Sequence, residues 1–174
     1  MQLNFRRSAG ATLIEIIMVV ALIAIITIGS FLYYNSASQA SKVQEALSEL
    51  DAISVVVQNM YATSTNYAGL SEAVVVNAGS VASNIKSSVA GNLKHPWDAT
   101  AAAVTLAVNP AAVPVASSFL ITYTLIPQGS CVDLVGKAFN RFPAIRVNGT
   151  SISNAGIAAT ACTNTTNTIA FTQN

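Results

Sequence analysis

Apolar residues are spread very unevenly along this 174-residue chain. Residues 11–34, ATLIEIIMVVALIAIITIGSFLYY, form a nearly unbroken apolar run in which Glu15 is the single charge. Coiled as an α-helix, such a run reaches about 36 Å, enough to cross a bilayer with some tilt. After Gly29-Ser30 the apolar positions continue in a different pattern. Val43, Ala46, Leu47, Leu50, Ile53, Val57 and Met60 recur three or four residues apart, while Lys42, Gln44, Glu45, Ser48, Glu49 and Asp51 fill the opposite side. That period predicts a helix with one face buried against a domain and the other in water. Proline is absent from residues 1–95, so one helix over about residues 12–61 is expected, with Gly29 as a soft point.

Strong periodicity is then lost. The pattern predicts a loop over Ala62–Leu70, a short helix around Ser71–Val76, a second near Ala82–Ser88, and a turn at Lys94-His95-Pro96-Trp97-Asp98. Strand signals come next at Ala103–Val108, Phe119–Ile126, Ala144–Val147 and Thr168–Thr172, separated by Asn-Pro, Pro-Gln-Gly and Asn-Gly turns. Ser130 is a candidate cap for a helix from Cys131 to Phe139 with Leu134, Val135 and Ala138 on its buried face. The expected fold class is α+β: a long N-terminal helical spine, its first half membrane-spanning, packed by its second half on an antiparallel sheet.

Composition narrows the function. Charged residues make up only 9% of the chain and the formal net charge is +1, so nothing marks a nucleic-acid partner. The one basic cluster, Arg6-Arg7, lies just before the apolar run. The positive-inside rule therefore keeps residues 1–10, MQLNFRRSAG, in the cytoplasm and exports the remainder of the chain. Tyr33 and Tyr34 fall at the far end, at headgroup level. Three readings share these features: a secretory signal peptide cut near Ser36-Ala37-Ser38, an ordinary anchor, and an anchor in which Glu15 has a task. A carboxylate near the start of a hydrophobic run usually marks function, although protonation or an interfacial position can also accommodate one.

The string Gly10-Ala11-Thr12-Leu13-Ile14-Glu15, preceded by the basic pair and followed by the apolar helix, resembles the class III signal of type IV pilins and pseudopilins. The resemblance implies that a prepilin peptidase cuts between Gly10 and Ala11 on the cytoplasmic side and N-methylates Ala11. It implies a cleaved leader at 1–10, a membrane and polymerisation helix at 11–34, and an amphipathic helix half plus α+β pilin head at 35–174. Glu15 becomes the fifth residue of the mature subunit, and its carboxylate can pair with the Ala11 amine of a neighbouring copy. Such a pair acts as a register device, because a wrong stagger strands both charges. Further along, Asn66-Tyr67, Pro96-Trp97, the run Phe119–Val147 interrupted by Cys131, and the ending from Cys162 through Asn167 to Thr172 resemble the type IVb subset. That subset includes conjugative thin pilins and toxin-coregulated pilins.

Catalytic chemistry finds little support. His95 is the only histidine and reads as a solvated loop residue before Pro96, so a triad with Asp98 lacks a marked nucleophile. Asp51, Asp98 and Asp133 do not form a calcium loop, and Cys131 and Cys162 lack close-spaced partner ligands; no metal and no cofactor is expected. Asn148-Gly149-Thr150 and Asn164-Thr165-Thr166 match glycosylation sequons, a pattern that Thr-rich turns also produce by chance. Two cysteines suit one bridge if their part of the chain reaches an oxidising compartment. In pilins such a disulfide delimits an exposed C-terminal region that contributes to the filament surface.

The expected function is the major subunit of a type IVb pilus, and not an enzyme. Its implied partners are copies of itself, the prepilin peptidase, the assembly platform and its ATPase. Its implied locations are the inner membrane before assembly and the extracellular filament after it. The alternatives are a minor or tip pilin, a secretion pseudopilin and, from another class, a single-pass membrane enzyme or receptor. The cysteine pair and the missing acidic loop disfavour the pseudopilin.

Overall fold

The computed structural model of the chain describes residues 12–98 and 103–174. The expected leader and the Gly10–Ala11 cleavage point lie outside the described residues. The long helix predicted from the pattern is present as α1, Leu13–Met60. Its residues divide between two compact units, 1–38 and 39–174. In the first unit every large apolar side chain from Leu13 to Tyr34 is exposed, by 51–78%. This part is long and apolar enough to cross a membrane. Apolar surface on all sides of a helix needs lipid or other helices to cover it.

In the second unit α1 turns amphipathic and buries Val43, Ala46, Leu47, Leu50, Ile53 and Val57. The predicted polar side is wrong at one position. Glu49 is only 4% exposed, because the buried stripe is wider than the apolar residues alone mark. Lys94, in the segment that also buries Leu93 and His95, lies close enough to act on the Glu49 charge.

The head is built on a five-stranded sheet of β1 (Val104–Val108), β2 (Phe119–Pro127), β3 (Ala144–Val147), β4 (Thr150–Ile152) and β5 (Thr166–Gln173), in the order β1-β2-β5-β3-β4. All neighbouring pairs are antiparallel, so β5 enters between β2 and β3, with Ile121 and Ile145 both opposite Phe171. Alternation sends Phe119, Ile121, Tyr123, Ile145, Val147, Ile169 and Phe171 into the core shared with α1. Leu120, Thr122, Arg146, Ala170 and Thr172 take the other face and are only partly buried or exposed. The expected α+β architecture with an antiparallel sheet is present.

Three short helices complete the head: α2 (Glu72–Asn77), α3 (Gln128–Ala138) and α4 (Ala155–Ala161). Ser71 caps α2 by accepting from the Val74 N–H at 3.4 Å, matching the helix expected at Ser71–Val76. The helix expected near Ala82–Ser88 is absent. Those residues form turns, with Lys86 bridged to Leu93 and the Val89 N–H on Ser87 Oγ at 3.3 Å. Ser and Asn side chains offer the backbone such local partners in place of helical ones. The second correction is at α3, which starts at Gln128 directly after Pro127 with no side-chain cap. Ser130 is buried inside its first turn and donates instead to Gln39 Oε1 at 2.9 Å.

Candidate functional site

Glu15 stands in the first turn of α1, its backbone N–H donating to Thr12 O at 2.9 Å. A carboxylate there is favoured by the helix dipole, yet it is set among exposed Ile14, Ile16, Ile17 and Met18. Within the described residues of its unit it is the only charge. This half of α1 offers an apolar surface, one acidic point and no other chemistry.

At the opposite extreme of exposure is the disulfide. Cys131 and Cys162 are bonded, both buried, with Cα atoms 5.9 Å apart. The bond ties the first turn of α3 to the C-cap of α4, just ahead of β5. Between them lie β3, β4 and α4, of which only β3 was legible as an element. The signals for the others were present in Asn148-Gly149 and Asn154. Asn148 and Gly149 adopt φ 49° and 85°, the positive-φ pair of a type I′ hairpin, so the dipeptide turns β3 back into β4. Asn154 caps α4 by accepting from the Ile157 N–H at 3.0 Å.

A buried amide hub holds this region to the sheet. Asn167 Nδ2 donates to Asn164 O at 2.8 Å and to Ile126 O at 3.3 Å, while its Oδ1 accepts from Asn148 Nδ2 at 2.8 Å. Asn148 Nδ2 also donates to Ala161 O at 3.0 Å, and Asn148 Oδ1 accepts from the Thr168 N–H at 3.0 Å. A glycan on Asn148 would take one of two protons that are both already donated. The Asn148 sequon match is therefore a structural turn whose amide is committed to the Ala161 and Asn167 oxygens.

His95 is not the solvated loop residue the sequence suggested; it is 2% exposed. Its Nε2 donates to Thr124 O at 2.7 Å, and Nδ1 accepts from the N–H groups of Trp97 and Asp98 at 3.3 and 3.2 Å. A carbonyl on one nitrogen and two donors on the other fix the neutral tautomer. Burial pushes its pKa below the ordinary value, in agreement. The ring stacks on Tyr123 with centroids 5.2 Å apart. Trp97 in turn donates from Nε1 to Gln39 Oε1 at 3.2 Å, so this turn clamps the lower head to α1. Both ring nitrogens serve the fold and neither is available for catalysis. Among the described residues no three His, Cys, Asp or Glu side chains gather in a way that could hold a metal.

Among the described residues Glu49 is the one buried acid whose charge is costly. Its Oε2 has no hydrogen-bond partner, and burial, reinforced by Glu45 and opposed by Lys94, raises its pKa from 4.5 to about 7. The unfolded chain loses this proton first, so stability from Glu49 is complete below pH 4.5 and lost as pH rises to about 7. Glu49→Gln should remove that dependence. Melting the full chain in detergent by circular dichroism, we expect the variant's advantage over wild type to grow across this window and then level off. A constant difference at all pH values would contradict it.

Comparison with known proteins places this arrangement. The profile of the family described as Bundlin matches residues 35–171. The chain is 29% identical over 185 aligned residues to the major structural subunit of bundle-forming pilus of Escherichia coli O111:H-, covering 95% of this chain and 93% of that one. It is 31% identical over 132 residues to the protein of the same description from Escherichia coli O127:H6 (strain E2348/69 / EPEC), covering 76% and 66%. Its fold is similar to that of TcpA, a type IV pilin from Vibrio cholerae El Tor biotype, with a TM-score of 0.60 at 18% identity over 77% of this chain and 99% of that one. It is also similar to the type IV b pilin from Salmonella typhi, with a TM-score of 0.58 at 23% identity over 72% and 95%. Given a family match that runs from the amphipathic half of α1 through β5, the chain belongs to the Bundlin family and is a type IVb pilin, a structural subunit of a pilus.

Proposed function

We propose that this chain is the major subunit of a type IVb pilus, made as a membrane-anchored precursor. In this reading a prepilin peptidase removes residues 1–10, cutting between Gly10 and Ala11 and methylating the new Ala11 amine. The mature subunit waits in the inner membrane through residues 11–34. An assembly platform and its ATPase then move it into an extracellular filament that serves adhesion, aggregation or conjugative contact. The observation that carries the reading is the exposed apolar half of α1 with Glu15 as its only described charge. Lipid can cover that surface before assembly and neighbouring copies of the same helix can cover it afterwards. The head, by contrast, closes a core of its own.

A head cross-linked by Cys131–Cys162, with both ring nitrogens of His95 used structurally, supports a surface-building role. Filaments sheared from expressing cells should contain this chain as their most abundant protein, and deletion of its gene should remove them. A minor or tip pilin would instead be a trace component of filaments that survive in reduced number.

A further inference from the structure

The head carries an exposed apolar knob and, elsewhere, an apolar groove that none of the described residues of the same copy fills. The knob is the tip of the β1–β2 hairpin, Val113-Pro114-Val115, where Val113 is 93% and Val115 85% exposed. Its base is fixed. The Asn109 N–H donates to Ser118 O at 2.9 Å, Asn109 Oδ1 accepts from the Ala111 N–H at 3.1 Å, and the Tyr67 N–H donates to Ala116 O at 2.9 Å. Two valines held out on a clamped loop carry no fold of their own. Isolated exposed apolar residues are ordinary, but a preorganised pair is what a binding contact uses.

The groove, about 80 Å³, lies between α3, β4 and α4. Val135, Phe139, Ile152 and Ala158 give it apolar walls, and Gly136 leaves it open, since a Cβ at that position would meet nothing within 4 Å. It has room for a branched aliphatic side chain, and no charged residue lines it.

Knob and groove cannot meet within one head. The knob hangs from β1 and β2, at one edge of the sheet, and the groove adjoins β4 at the other. Those edges are about 19 Å apart at the usual strand spacing. They also differ in level along α1. The knob's strands end beside Gln58, which donates to Asn174 O at 2.9 Å near the Phe119–Gln173 pair. The groove lies along the second half of α3, just before Arg141, which pairs with Asp51 on α1. Asp51 and Gln58 are about 10 Å apart along a helix. A second copy shifted along the helix axis, with its α1 parallel, would bring one knob toward the next groove. A contact between two different patches is heterologous, and repeated copies of it build an open chain rather than a closed dimer.

We propose that the Val113-Pro114-Val115 knob seats in the Val135–Phe139–Ile152–Ala158 groove of the next copy along the filament. The proposal rests on the pilin reading above. Two arms test it with the full chain in expressing cells. In the first, Val113→Cys and Ala155→Cys are combined, Ala155 being an exposed rim residue of the groove. Mild oxidation of sheared filaments should give a ladder beyond dimer on non-reducing gels, and neither single variant should give one. In the second, Gly136→Leu fills the groove with the chain's own side chain at a helical position with open space. Mature, disulfide-bonded subunit in the membrane should stay at the wild-type level, while sheared filament falls about tenfold, the factor that about 1.4 kcal/mol per contact corresponds to. Double-cysteine filaments that remain monomeric overturn the proposal and leave the pilin reading intact. So does Gly136→Leu filament at the wild-type level, which decides the matter if the double-cysteine strain makes none. Wild-type cells that display no filament containing the chain would overturn both.

Discussion

Glu15→Ala should leave export, peptidase cleavage and membrane insertion of the subunit largely intact and abolish or sharply reduce its filaments. The carboxylate lies among exposed isoleucines in the first turn of α1, where insertion into lipid gains nothing from it. Insertion could even improve when it is removed. Assembly is different, because cleavage at Gly10 would create one new cation, the Ala11 amine, and carry it into a bundle of apolar helices. With Glu15 present, that amine would find a partner on a neighbouring copy at one stagger only. With Glu15 gone, the amine enters uncompensated, and breaking a buried pair in this way costs about 3–5 kcal/mol for each subunit. Comparing cell-associated mature subunit with sheared filament in the two strains separates these steps. Normal filaments from the variant would show that Glu15 does not set the register.

Loss of the Cys131–Cys162 bond should be the most damaging small change in the head. Linking residues 31 positions apart removes loop-closure entropy from the unfolded chain worth roughly 3–4 kcal/mol. The enclosed elements have little stability of their own: β4 has three residues and α4 seven. The bond also fixes the approach to β5, the strand on which β2 and β3 both depend. Cys131→Ser and Cys162→Ser should each lower stability by roughly 2–5 kcal/mol and reduce the amount of mature subunit. Urea titration of detergent-solubilised chains reads this directly, and reduction should bring wild type down to the variants. Equal midpoints for wild type and variants would contradict the assignment.

The reach of the sequence depends on the range of each signal. The spine is legible because its period persists over many turns, and β1, β2, β3 and β5 because alternation or β-branched runs mark them. Burial of Glu49 and His95 is not legible. Local pattern cannot report that Lys94–Trp97 folds back on the head and covers one flank of α1, a long-range contact held by Trp97 on Gln39. Ser130 has the residue type of a cap, yet its hydroxyl is claimed by Gln39, ninety-one positions away. β4 and α4 are local after all, since an Asn-Gly turn and an Asn cap announce them. They escape notice because the surrounding Ser, Thr, Asn and Ala resemble loop. The site divides in the same way. Glu15 and the cysteine pair stand out by contrast with their surroundings, whereas Asn167 matters only because four hydrogen bonds from three residues, Ile126, Asn148 and Asn164, converge on it.

The most direct test of the whole account is the mass and N-terminal sequence of the subunit in filaments sheared from the cell surface without reduction. The account predicts a chain that begins at Ala11, carries one methyl group on its amine, and retains the Cys131–Cys162 bond. Losing Arg6 and Arg7 would leave six basic against seven acidic side chains, a net side-chain charge of −1 in place of +1. A surface subunit that retains Met1, or one cut near Ala37 and therefore without α1's apolar half, would contradict it.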